Sequence, residues 1–292
     1  MRGVGIGFLL VLGISLQAVN QRPSQSSSED KAVMLAAVSR DDSMLTGGLG
    51  SGRWTGRGTV VVEPLASLTP SGEWVSVPCD PSHPATCRKF ERDYLSRPHT
   101  YTVISADGRG ATVQATPIKL DECSFFIGAG TYAGASIANS AIAASSTELF
   151  DESEPPRLLG KEEGAPVRKA LTVLVPGKLD PALHLRLYSL RLEDKDLVIV
   201  QWTTVDFIDK PGERSTKRIF AIGSMDQGRF HLLHWKQNTE DEDERVIGTI
   251  LLKSGRGFLI TTAIDPESQR FRVYGIRDGR LVMVYSGGGS SC

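Results

Sequence analysis

The sequence predicts a mainly β protein: an antiparallel meander that closes into a barrel or folds into a sandwich, with one or two short helices near the start of the mature chain. A propeller-like arrangement is the alternative. Three observations predict this. Beyond residue 167 the chain breaks into short runs rich in β-branched and aromatic residues. Turn sequences separate several of these runs: EDKD, MDQG, KSGRG and RDGR. Within the runs LHLRL and RFRVY, apolar and polar residues alternate, as they do along a half-buried strand.

Read from the N-terminus, residues 1–18 have the pattern of an export signal. Arg2 supplies a positive start, Val4 to Leu16 is apolar and uncharged, and small residues around Ser15 to Ala18 suit cleavage after Ala18. The apolar run is too short to span a bilayer comfortably. The expectation is therefore an exported protein, periplasmic or secreted, with no integral membrane segment once the signal is removed.

Residues 19–57 read as a leader and linker. Within them Glu29 to Ser39 places Met34, Ala37 and Val38 at helical spacing, with Ser28 or Asp30 as cap. A Gly-rich stretch containing Trp54 follows. Residues 58–150 are mixed and β-rich. Thr59 to Glu63 and Glu73 to Val77 read as strands. Cys87 to Leu95 reads as a helix with Cys87, Phe90 and Tyr94 on one face, and a hairpin joins Tyr101–Ser105 to Ala111–Thr116. Cys123 to Thr147 carries no charge and includes Gly130 and Gly134, a pattern that fits small residues packed tightly in buried strands or a short helix.

Residues 151–166, acidic and Pro-containing, read as a linker or exposed loop before an antiparallel β domain at 167–292. Strands there are expected at about Lys169–Val175, Leu183–Leu192, Leu197–Val205, Arg218–Gly223, Arg229–Trp235, Val246–Leu252, Phe258–Ala263, Arg270–Ile276 and Leu281–Ser286. Leu197 to Val200 is apolar at every position, which predicts a strand covered on both faces. A weak repeat relates RIFAIGSMDQGRFHLLHW to RFRVYGIRDGRLVMVYS, hairpin on hairpin.

Charge and motifs narrow the function classes. The 292 residues carry a net charge of -1, and losing Arg2 with the signal takes this to -2. With basic residues scattered rather than striped, no nucleic-acid partner is expected. In an oxidising compartment the four cysteines Cys79, Cys87, Cys123 and Cys292 suit disulfides, Cys79 with Cys87 across a short Pro-rich loop and Cys123 with Cys292. Free thiols are the alternative.

No metal site is read. His231 and His234, three apart in one strand, point to opposite faces, and His83, His99 and His184 are scattered. The acidic run Thr239 to Glu244 lacks the ligand spacing of a calcium loop and reads as a solvated turn. HExxH, GxSxG and Walker patterns are absent, and no cofactor is implied. Trp202, His234, Trp235 and Tyr274 belong to neighbouring expected strands; they line a ligand cavity if they face one, and otherwise form core. The function expected is an exported non-enzymatic binding or interaction protein with a small ligand or protein partner. The alternatives are a hydrolase whose residues converge only in space and an envelope structural protein.

Overall fold

The computed structural model describes residues 32–40, 58–77, 84–90, 92, 99–106, 108–115, 119–120, 126–134, 140–174, 185–207, 214–238, 243–264 and 268–291. The export signal, Trp54, Ser28, Asp30, His83, His184, Cys79, Cys123 and Cys292 lie outside these residues.

The N-terminal half supplies strands β1 (Val33–Arg40), β2 (Gly58–Leu68), β3 (Trp74–Val75), β4 (His99–Val103), β5 (Thr112–Ala115), β6 (Lys119–Leu120), β7 (Phe126–Ala133) and β8 (Ser140–Ala144), with helix α1 (Pro84–Phe90) between β3 and β4. Antiparallel pairing runs β1–β2–β7–β5–β4–β8 and returns to β1, closing a six-stranded barrel. So few strands leave a narrow interior. The sequence meets this with small side chains: Ala36, Ala111, Ala115, Ala141 and Ala143 point inward beside Val38, Val60, Val62 and Val113. Tyr101, Tyr132 and, from α1, Cys87 and Phe90 fill the rest. Burial there pushes the Tyr101 phenol up to about 12.

The uncharged stretch explains itself in this setting. Gly130 lies in β7 where a Cβ would sit 3.1 Å from the Gln114 carbonyl oxygen and 3.2 Å from Val62 Cγ2. Gly134 has φ +149° and would place a Cβ 2.5 Å from that of Ala111.

Two local expectations are corrected. Of the segment expected as a helix at Glu29–Ser39, residues 29–31 lie outside the described set and the part from Val33 onward lies in β1 instead. Its apolar run buries Ala36 and Val38 inside the barrel and Val33, Leu35 and Ala37 on the barrel's outer face. A strand covered on both faces shows continuous hydrophobicity, which spacing alone does not separate from a helix. The strand expected at Lys169–Val175 is helix α2 (Ala165–Leu174). Pro166 is compatible with its first turn, and Val167 and Leu171, one helical turn apart, are its buried residues.

The other expected strands in the second half are present: β11 (Leu185–Leu192), β12 (Lys195–Phe207), β13 (Arg214–Asp226), β14 (Arg229–Asn238), β15 (Asp243–Leu252), β16 (Gly257–Ile264), β17 (Ser268–Arg277) and β18 (Arg280–Ser291). They make two meanders, each led by a two-residue strand from the connector: β9 (Phe150–Asp151) pairs with β15, and β10 (Arg157–Leu158) pairs with β11. The two five-stranded sheets pack face to face as a sandwich, so the repeated meander does not circle a propeller axis.

The weak repeat is a repeat of structure. In β13–β14 the turn is Gln227-Gly228 and Leu233 is bulged; in β17–β18 the turn is Asp278-Gly279 and the register shift nearer the turn bulges Val284. Both residues of each turn have positive φ, the condition for the type I′ hairpin that matches strand twist.

The layers stack in order. The outer face of β1, β2 and β8 packs on one face of the β15–β18 sheet through Leu35, Leu65, Ile142, Phe258, Ile260 and Phe271. The opposite face of that sheet meets the β11–β14 sheet through Val246, Leu259, Tyr274, Leu197, Ile199 and Phe220. Helix α2 covers part of the far face through Val167, Leu171, Val198, Val200 and Trp202. The expectation for Leu197–Val200 is met residue by residue, with Leu197 and Ile199 facing one core and Val198 and Val200 the other. At the barrel junction Tyr285 donates a hydrogen bond to the Leu65 carbonyl at 3.1 Å, and its ring stacks on Trp74 at 5.7 Å. No helix among the described residues is long and apolar enough to cross a membrane.

Candidate functional site

The four aromatic and histidine positions separate into two pairs on opposite faces of the β11–β14 sheet. Trp202 and Trp235 belong to the core under α2. Trp202 is 3% exposed, and among the described residues its indole N–H has no acceptor. His234 and Tyr274 meet between the sheets, with ring centroids 5.1 Å apart and Tyr274 Oη 3.5 Å from His234 Nε2. Adjacent residues of a strand point to opposite faces, so His234 and Trp235 cannot share a cavity.

The bulge revises the reading of His231 and His234. Leu233 adds one residue to β14, so His231 stands opposite Ser224 and His234 opposite Ile222. Ser224 and Ile222 are two apart and share a face, and the two histidines therefore share one as well. The same shift lets Phe230 and Trp235, five apart, both pack toward α2. Among the described residues no group of three or more His, Cys, Asp or Glu stands close enough to hold a metal ion.

Between the sheets lies a polar cluster that sequence reading missed. The Glu244 side chain has 0% exposure. Its Oε1 accepts hydrogen bonds from Tyr274 Oη at 2.8 Å and Thr261 Oγ1 at 2.9 Å, and its Oε2 pairs with Arg272 Nη1 at 2.5 Å. Strand register builds the group: Thr261 faces Arg272 across β16–β17, and Tyr274 follows two residues later on the same face. Glu244 closes the acidic run expected as a solvated turn, so at this residue that expectation is corrected; residues 239–242 lie outside the described set. Burial first, then the Glu244 charge, pushes the Tyr274 phenol far above its ordinary value. Burial also lowers His234, with the Glu244 charge acting the other way and Arg272 and Lys236 adding to the fall. A tyrosine held protonated is no nucleophile, and the carboxylate already accepts three donors.

Open space lies elsewhere, along the connector. A groove of about 750 Å³ sits on the far face of the β11–β14 sheet, next to the start of α2. Leu159, Val198 and Met225 supply its apolar side chains, and Pro155 and Pro156 form one wall. A second hollow of about 180 Å³ lies across the connector between Arg191–Glu193 and Thr249–Leu251. The two share Glu154 and Arg191. At the rim Arg157 and Glu163 form a two-pronged pair at 2.9 and 3.0 Å, which raises the guanidinium and lowers the carboxyl from their ordinary values. The connector's two consecutive prolines were the sequence signal for this feature; what they border required the fold.

Cys87 is buried against the barrel core and is not a free thiol. Its pairing partner among Cys79, Cys123 and Cys292 lies outside the described residues.

These features define a class of architecture, a closed six-stranded barrel stacked on a double meander, with a groove on the far face of the β11–β14 sheet. No protein family model, no characterised protein and no solved structure matches the chain.

Proposed function

We propose that this chain is an exported binding protein that performs no catalysis and holds its ligand or protein partner in the connector groove. The groove carries this reading: at about 750 Å³ it is in the size range of ligand sites, and it joins apolar surface to a charged rim. The polar cluster supports it from the other side, because Glu244 has its acceptors filled within a closed core. Export rests on the apolar N-terminal run, together with cysteines suited to an oxidising compartment.

The test is a thermal-shift screen of the mature, oxidised protein against peptides, sugars, lipids and metal ions. A ligand that binds only the native state raises the melting temperature with concentration. Ser189 lines the groove, and Ser189→Trp fills it. The reading predicts at least one class that stabilises the parent protein and leaves Ser189→Trp unmoved. A flat screen, or equal shifts in both proteins, overturns it.

A further inference from the structure

We infer that the groove and its neighbouring hollow form one trough for an extended basic peptide, an inference that rests on the groove being the binding site. The 152–156 segment crosses this trough as a strap. At one end Ser153 Oγ donates to the Thr249 carbonyl at 3.2 Å and Thr249 Oγ1 donates to the Glu154 carbonyl at 3.4 Å, which ties the strap to β15. At the other end Arg157 and Leu158 pair with Ser189 and Tyr188 of β11. Between these ties Pro155 and Pro156 have no N–H, so the strap cannot continue the ladder along β11. The backbone of Leu190–Leu192 is left unpaired on that side among the described residues, an edge that an incoming strand can extend.

Charge selects the partner. Arg157 and Glu163 neutralise each other. The trough then presents the carboxylates of Glu152, Glu154, Glu193 and Asp196 against the single guanidinium of Arg191. Asp196 stands across from Arg191 in register, yet among the described residues neither belongs to an ion pair. An acidic trough repels nucleic acid and anionic lipid. None of its lining residues among those described is aromatic, so they offer no stacking platform for a sugar ring. A peptide with alternating cationic and apolar side chains matches an open backbone edge, an apolar floor and an acidic rim together.

Fluorescence anisotropy on the full mature protein tests this, using a labelled ten-residue peptide of alternating Lys and Ala and its Glu-Ala counterpart. The Lys-Ala peptide is expected to bind and the Glu-Ala peptide not to. The double variant Glu154→Gln/Asp196→Asn, at two exposed positions, should raise Kd at least tenfold. Equal binding of both peptides, an unchanged Kd in the double variant, or spermine binding as tightly as the peptide would each overturn the inference. Nile red separates the two levels of reading. If its fluorescence is lost in Ser189→Trp but the Lys-Ala peptide does not bind, the trough is a site and the peptide inference fails. If the dye does not respond to Ser189→Trp and the peptide does not bind, both fail.

Discussion

Glu244 shows what a single residue does in this fold. A carboxylate with no solvent contact is tolerated only where its charge is paired and its acceptors are filled, and Arg272, Tyr274 and Thr261 do both. Glu244→Ala removes the anion and leaves the guanidinium and two hydroxyls facing a void. The expected loss is about 3–5 kcal/mol, the range for breaking one side of a buried pair. Urea unfolding measures it, and a loss under about 1 kcal/mol would mean that water already reaches the cluster. Glu244→Gln keeps the shape and should lose less. His234 gives a pH dependence of definite sign. Its folded-state value lies below the ordinary 6.5, so between the two values the unfolded chain binds more protons and stability rises with pH. The contribution is complete above about 6.5 and is lost as pH falls through the folded value. The urea midpoint of the parent should fall from pH 7.5 to 5.5 more steeply than that of His234→Asn. Parallel curves would show that His234 is solvated in the native state. Tyr274 stays protonated throughout this window.

At the scale of elements, α2 is the informative case. ALTVLV has the β-branched content of a strand, but the helical turn places Val167 and Leu171 together on the β11–β14 sheet while Val173 is 81% exposed. Leu171→Ala is expected to cost about 2–5 kcal/mol, as other large-to-small core changes do, and Val173→Ala close to nothing. Thermal melts of the two variants check this; equal effects would mean the face is misassigned. The same comparison shows which elements the sequence made legible. Hairpins with Gly at the turn, and strands bearing one polar face, were readable because turn chemistry and period two are local properties. In β12 the run Leu197–Val200 was readable for the opposite reason, being apolar at every position and short. β1 was not, since VMLAAV is equally apolar in a helix, and its strand state depends on pairing with β2 and β8 from distant sequence. The bulge at Leu233 was illegible for the same reason, and it reversed the facing of two histidines. Of the candidate site, the partners of Tyr274 and His234 were hidden because Glu244 is indistinguishable in sequence from the other acids of its run until the β15–β16 register turns it inward.

For the whole molecule, the middle sheet decides how the protein unfolds. The β15–β18 sheet packs the barrel on one face and the β11–β14 sheet on the other, so neither neighbour has a complete core without it. The chain order reinforces this. β9 leaves the barrel to join the middle sheet, and β10 follows six residues later to join the outer one, before either meander is built. Each meander therefore begins on a strand supplied from the N-terminal side. A barrel attached only through a flexible linker would melt independently; one sharing a core of Leu35, Leu65, Phe258 and Phe271 should melt together with the sheets. Calorimetry of the mature protein is expected to show a single transition whose calorimetric and van't Hoff enthalpies agree. Phe258→Ala, at the barrel side of the middle sheet, should lower that one transition by an amount corresponding to about 3–5 kcal/mol without splitting it. Two resolved transitions in the parent, or a variant that shifts one part of the melt and leaves the other in place, would show the barrel and the sandwich to be separate cooperative units. The shared core would then be a docking surface between two folded bodies, and the groove could be studied on the sandwich alone.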